Sequence, residues 1–185
     1  MLTSRQDSRY RWPEPGCELP YKGKVLAMSE KLSQWYQLPL RLVLGISFVY
    51  HGLPKVSSVD GHQAFAKMLE GIGVPASDLV AWAVGLVEIA GGVALIVGAF
   101  VVVASILLTC DMLVALFKVH LAAGFSLINI KGMGPDGPIF GMPGYEVNLL
   151  YIAALLTLIL AGAGALSVDQ VRGRQSHRYR RYSRK

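Results

Sequence analysis

Seven side chains that can exchange protons or hold an anion stand within or at the edge of apolar sequence: His51, Glu88, Asp111, Lys118, His120, Tyr145 and Glu146. An ionisable group in such surroundings is costly, and marks either a functional site or a fastener between helices. Glu88 is the sole charge in LVAWAVGLVEIAGGVALIVG, residues 79–98. Its carboxyl is either protonated or paired with a cation such as Lys118 or a protonated His51. Asp111 and Lys118 lie seven residues apart on one helix face, where each lowers the burial cost of the other. That balance favours a fastener at Asp111, while Glu88 divides evenly between fastener and site. His51 and His120 suit a proton relay better than a metal pair, because no ligand spacing repeats on one helix face, and no metal is expected. Cys17 and Cys110 form no CxxC pair, which argues against a thiolate metal site and a disulfide framework.

The elements that must position these groups are apolar runs. Of 185 residues, 53% are hydrophobic and 16% charged, and the mean hydropathy is +0.44. A disordered chain or an ordinary soluble enzyme does not have this composition. Runs at 79–98, 99–121 and 147–166 are each long enough for a membrane-crossing helix, which needs ~20 apolar residues. Residues 35–53 make a weaker first span, with Trp35 and Tyr36 in the interfacial belt and Arg41 snorkelling to the headgroups. The expected fold is therefore an all-α membrane protein, a four-transmembrane-helix bundle. A polar N-terminal tail (1–34) and a basic C-terminal tail (171–185) flank a membrane domain at 35–170. No apolar leader precedes Trp35, so no cleaved signal peptide is expected.

Charge supplies the topology. The segment before the first span, Arg41 and the C-terminal tail together hold fourteen of the eighteen Lys and Arg residues. The positive-inside rule then places both termini in the cytoplasm and requires an even number of spans. Between the first two spans, Phe65, Met68, Leu69 and Ile72 recur at helical spacing, and Asp60 with Gln63 resembles a capping box. A short interfacial helix is expected there. The Gly- and Pro-rich segment 132–144 reads as a loop or lid. On this topology all seven ionisable residues fall between the midplane and the outer surface. Glu88 shares its face with Ala81, Gly85, Gly91 and Gly92, small residues that let helices approach closely, so it should face protein. The basic tail is better explained by topology and anionic lipid than by nucleic acid.

The segments RLVLGISFVYHGLPKV (41–56), FAKMLEGIGVP (65–75), VGLVEIAGGVALIVGAF (84–100), the Met112–His120 stretch, GYE (144–146) and GAGALSVD (162–169) resemble the DoxX family of small four-helix bacterial membrane proteins. The resemblance implies that His51, Gly52 and Lys55 match an HGxxK element. It likewise implies that Glu88, Gly91 and Gly92 match ExxGG, His120 the VH closing helix three, Tyr145 and Glu146 the GYE, and Ser167 with Asp169 the closing SxD. Ala163 and Ala165 stand where the family often has Pro and Arg. Two functions follow as expectations. In one, the chain is a membrane subunit of a thiosulfate:quinone-type or thiol-linked redox system. Its proton handlers are His51, Glu88 and His120, its binding groups are Lys55, Asp111, Lys118, Tyr145 and Glu146, and quinone is the candidate cofactor. In the other, it is a non-catalytic anchor for a soluble oxidative-stress protein, and its polar groups are fasteners. Expected partners are the lipid bilayer and a soluble redox protein or second membrane subunit, or further copies of the chain.

Overall fold

The computed structural model describes residues 35–172. The N-terminal tail with Cys17, and the basic tail beyond Arg172, lie outside the described residues. In chain order the helices are α1 (Gln37–Ser57), α2 (Val59–Gly71), α3 (Ser77–Val97), α4 (Val101–Ala115) and α5 (Glu146–Ala161). A π turn at Leu116–His120 and a 3-10 turn at Leu121–Ala123 extend α4. Between α4 and α5, β1 (Ile130–Gly134) pairs antiparallel with β2 (Gly137–Phe140). This hairpin replaces the plain loop expected from the Gly and Pro content.

Two helical stretches are long and apolar enough to cross a membrane: α3, with 21 residues, and Val101–Ala123, with 23. α1 and α2 pass that criterion only as a pair, and they meet at a bend of 98°. α5 is apolar but has only 16 residues.

α1 runs through Pro54 and stops at Ser58, whose backbone is extended. The helix therefore runs four residues past Leu53, the expected end of the first span. The Ser58 hydroxyl accepts from Gly61 N at 3.2 Å and caps α2, in place of the Asp60 capping box. α2 then turns its apolar face onto the start of α3 through Ala66, Leu69 and Ala81.

Close approach of α1 to α3 depends on two facing glycines. A Cβ on Gly92 would lie 2.6 Å from Gly45 O, and one on Gly45 would lie 2.7 Å from Gly92 O. Leu44, Phe48, Leu95, Leu108, Leu155 and Leu158 form the core between α1, α3, α4 and α5. Val43, Ile46, Val103, Leu107, Leu150 and Leu160 point outward, exposed to the medium around the bundle. In a membrane protein that medium is lipid, so the apolar exterior carries no penalty.

The α3–α4 corner turns at Gly98 (φ 75°) and at Phe100 (φ 52°), a conformation unfavourable for a side chain as large as Phe. Both oxygens of Asp169 hold the corner. They accept from Phe100 N and Val101 N at 2.9 Å each, capping the first turn of α4. α5 ends at Ala161, five residues short of the expected Leu166. Gly162, Gly164 and Leu166 all have positive φ, and the chain crosses back toward Gly98 without helical hydrogen bonds.

Candidate functional site

Irregular backbone buried in apolar surroundings needs donors for its carbonyls. Arg41 supplies those donors. Its guanidinium is fully buried and donates to Leu95 O at 3.1 Å, Ala165 O at 3.3 Å and Leu166 O at 3.0 Å, and also to Ala163 O. The expectation that Arg41 snorkels is thereby overturned. The orphan carbonyls of the segment after α5 draw the side chain inward. Ser167, also buried, donates to Gly164 O at 2.8 Å and accepts from Gln170 N at 3.2 Å. The closing SxD is thus a pair of caps around one corner.

A second polar cluster lies farther along the bundle. The ammonium of Lys55, near the end of α1, contacts Glu88 Oε2 on α3 directly, with side-chain exposures of 14% and 4%. The partner of Glu88 is therefore Lys55, not Lys118 or His51. Small residues make the contact sterically accessible. A Cβ on Gly52 would sit 3.0 Å from Glu88 Cβ, and one on Gly85 would sit 3.0 Å from Lys55 Cβ. Gly91 plays the same part against Leu108 of α4. Asp111 on α4 is half-buried and within electrostatic reach of both Glu88 and Lys55. Three helices thus contribute two carboxyls and one ammonium. The group is charge-neutral with one proton on a carboxyl and carries one negative charge without it.

α2 covers this cluster. Lys55 Nζ lies 4.5 Å from the centre of the Phe65 ring, a cation–π contact. His62, buried on α2, reaches Lys55 O with Nδ1 at 2.8 Å and Asp78 Oδ1 with Nε2 at 2.9 Å. A carbonyl and a carboxylate both accept, so this geometry suits a ring that donates from both nitrogens, the imidazolium form. The hydrogen bond to Asp78, followed by the one to Lys55 O, raises its pKa above the usual 6.5 against the opposing effect of burial. His62 was not singled out from sequence. Its signal was local: a histidine on the amphipathic segment, followed by an acid at the start of the next helix.

The other expected residues scatter. His51 is exposed and meets Tyr50 edge to face at 5.6 Å. Lys118 is exposed in the π turn, where the wider winding breaks the seven-residue face shared with Asp111. Among the described residues the ion pairs are Lys55–Glu88 and His62–Asp78. His120 Nδ1 donates to Pro143 O at 2.8 Å. Tyr145 packs edge to face on Phe125 at 5.5 Å, and Glu146 accepts from Leu127 N at 3.1 Å. These three tie the ends of α4 and α5 together. Cys110 is exposed on α4. Among the described residues, no three His, Cys, Asp or Glu side chains are grouped to hold a metal ion.

Residues 36–121 match the family model described as DoxX. The matched span contains Lys55, Glu88 and Asp111. An uncharacterized protein of Haemophilus influenzae is 29% identical over 140 residues, which cover 76% of this chain and 92% of that protein. No solved structure matches.

Proposed function

From the premise that this chain carries a DoxX domain at residues 36–121, we propose that it is a membrane subunit of a quinone-linked or thiol/sulfur-linked redox system, and that Lys55, Glu88 and Asp111 are its proton-exchanging site. In this reading α1, α3, α4 and α5 all cross the bacterial cytoplasmic membrane as a four-helix bundle. The basic ends keep both termini in the cytoplasm. α2 lies in the outer interface, and the site opens toward the periplasmic half. α5, about 24 Å long, falls short of a ~30 Å hydrocarbon core, and the Arg41-held segment 162–167 makes up the difference.

The observation that carries the reading is the buried Lys55–Glu88 pair between α1 and α3, with the Asp111 carboxyl of α4 within electrostatic reach of both, where each charge alone is costly. Two carboxyls beside one ammonium can take up or release one proton through side-chain rearrangement alone. Lys55 holds whatever negative charge remains. His51, Lys118, His120 and Tyr145, nearer the surface, are groups that could pass a proton onward or bind a sulfur oxyanion. The donor set fits a quinone, which would supply electron acceptance and need protons in return. Electrons would come from a soluble partner or a second membrane subunit.

The test is quinone reduction by thiosulfate or thiols in membranes containing the chain and its native partners. Glu88→Gln and Asp111→Asn should each lower turnover by ~10²-fold while leaving the assembled protein in place. Unchanged turnover in both would overturn the proposal. A second reading, a non-catalytic anchor for a soluble oxidative-stress protein, draws on the direct Lys55–Glu88 contact. A neutralised pair can simply fasten α1 to α3. It would be favoured if a Lys55→Met/Glu88→Met protein kept both stability and function.

A further inference from the structure

The connection between α4 and α5 is a built arm. At its base, Gly144 N donates to Ser126 O, Tyr145 N to Gly124 O and Glu146 N to Phe125 O, each at 3.0 Å. Farther out, Gly141 N donates to Asn129 O at 2.7 Å, and the Asn129 amide donates to Ala123 O at 3.0 Å. The arm therefore starts level with the ends of both helices. The extended α4, about 34 Å over 23 residues, already covers a ~30 Å core, so that level is the membrane boundary.

Beyond the base, Ile130 pairs with Phe140 and Met133 with Pro138. Opposed residues of an antiparallel pair share a face, and the bulge between Ile130 and Gly132 puts both pairs on the same one. That face is apolar and uncovered, with Ile130 55%, Met133 79% and Phe140 65% exposed. The arm's charges, Lys131 and Asp136, cancel. Phe117, Leu121 and Phe125, spaced four apart and all exposed, carry the apolar exterior of α4 up to the arm's base.

We propose that the β1–β2 arm lies in the headgroup–acyl boundary of the adjacent leaflet, with the Ile130–Met133–Phe140 face turned into lipid. Continuity with the lipid-facing strip of α4 names the occupant. The absence of net charge removes any electrostatic reason to dock on a charged surface. Unpaired strand edges keep the arm at the boundary and out of the hydrocarbon core, and a two-stranded hairpin needs an apolar support to be stable.

The full chain, with Cys17→Ser and Cys110→Ala, is reconstituted in phosphatidylcholine vesicles and spin-labelled at Met133→Cys, Phe140→Cys, Asp136→Cys or Leu150→Cys. Labels at positions 133 and 140 should collide with oxygen several-fold more often than with a water-soluble nickel chelate. The label at the Asp136 turn should show the reverse. Position 150 on α5 calibrates the lipid response and fails separately if the chain does not span the membrane. Dominant chelate collision at both 133 and 140 would mean an arm standing in water. Exclusion of both reagents would mean a protein cover, such as a second copy. Either result overturns the proposal.

Discussion

Buried charge is handled differently at the two ends of the α1–α3 pair. Around Arg41, polar side chains are committed to backbone: the guanidinium to four carbonyls, Asp169 to two N–H groups, Ser167 to one of each. Around Lys55, they are committed to one another. A change of protonation at the first end would strand backbone groups in an apolar setting. A change at the second rearranges side chains only. The backbone-bound network and the side-chain ion cluster are thus separated along one helix pair, about 21 Å apart over the fourteen residues from Arg41 to Lys55.

The largest expected effect breaks the architectural end. Arg41→Met leaves the carbonyls of residues 163, 165 and 166 without that donor, and should cost about 3–5 kcal/mol, from about 1–3 kcal/mol for each buried acceptor left unpaired. Thermal unfolding in detergent reads this directly. Arg41→Lys should recover only part of the loss, because an ammonium cannot span the same fork of acceptors. Full stability in Arg41→Met would erase the contrast between the two ends.

The next effect sharpens the comparison. Lys55→Met alone strands Glu88 and should cost about 3 kcal/mol, whereas Lys55→Met/Glu88→Met should return to within about 1 kcal/mol of the parent. At the Arg41 end no such rescue by a second substitution should exist, since the partners there are backbone. A smaller effect, about 1 kcal/mol, is expected for Asp169→Ala, which uncaps α4 and leaves Phe100 in its unfavourable conformation. Amide exchange at residues 100 and 101 should rise while that of α3 stays unchanged.

How much of this was legible in sequence follows from the physics of each group. The α3 and α4 runs were plain because apolar length alone specifies a buried helix. Gly85, Gly91 and Gly92 beside Glu88 placed its carboxyl toward protein, since a face of small residues invites a neighbour. The identity of its cation was not legible. Lys55 lies outside the expected first span, and α1 had to run through Pro54 to bring it over α3. The reach of Arg41 was hidden for a similar reason. Three of its four acceptors exist only because α5 ends early at Gly162, 121 residues away. Lys118 misled because a seven-residue face presumes regular winding, and the π turn interrupts it. The hairpin was masked by Gly and Pro, which mark turns and are depleted in strands, yet Gly stands within both β1 and β2, and Pro within β2.

His62 offers the smallest and most local test, between the two regimes. Its ring bonds a backbone carbonyl, as Arg41 does, and a carboxylate, as Lys55 does, and it packs on Trp82 at 4.8 Å. Asp78 and Lys55 O hold its folded pKa above the usual 6.5. The linked stabilisation of the α1–α2–α3 junction is therefore complete below about 6.5 and declines as pH rises through the raised value. With intrinsic rates corrected, amide exchange in α2 should speed up between pH 6 and 9 in the parent protein. His62→Gln should show faster exchange at low pH and no such rise. Asp78→Asn, which removes the larger cause of the shift, should move the transition to lower pH. A parent profile that is flat, or that slows with rising pH, would mean His62 is not held as an imidazolium, and α2 would then cover the Lys55 cluster by apolar packing alone.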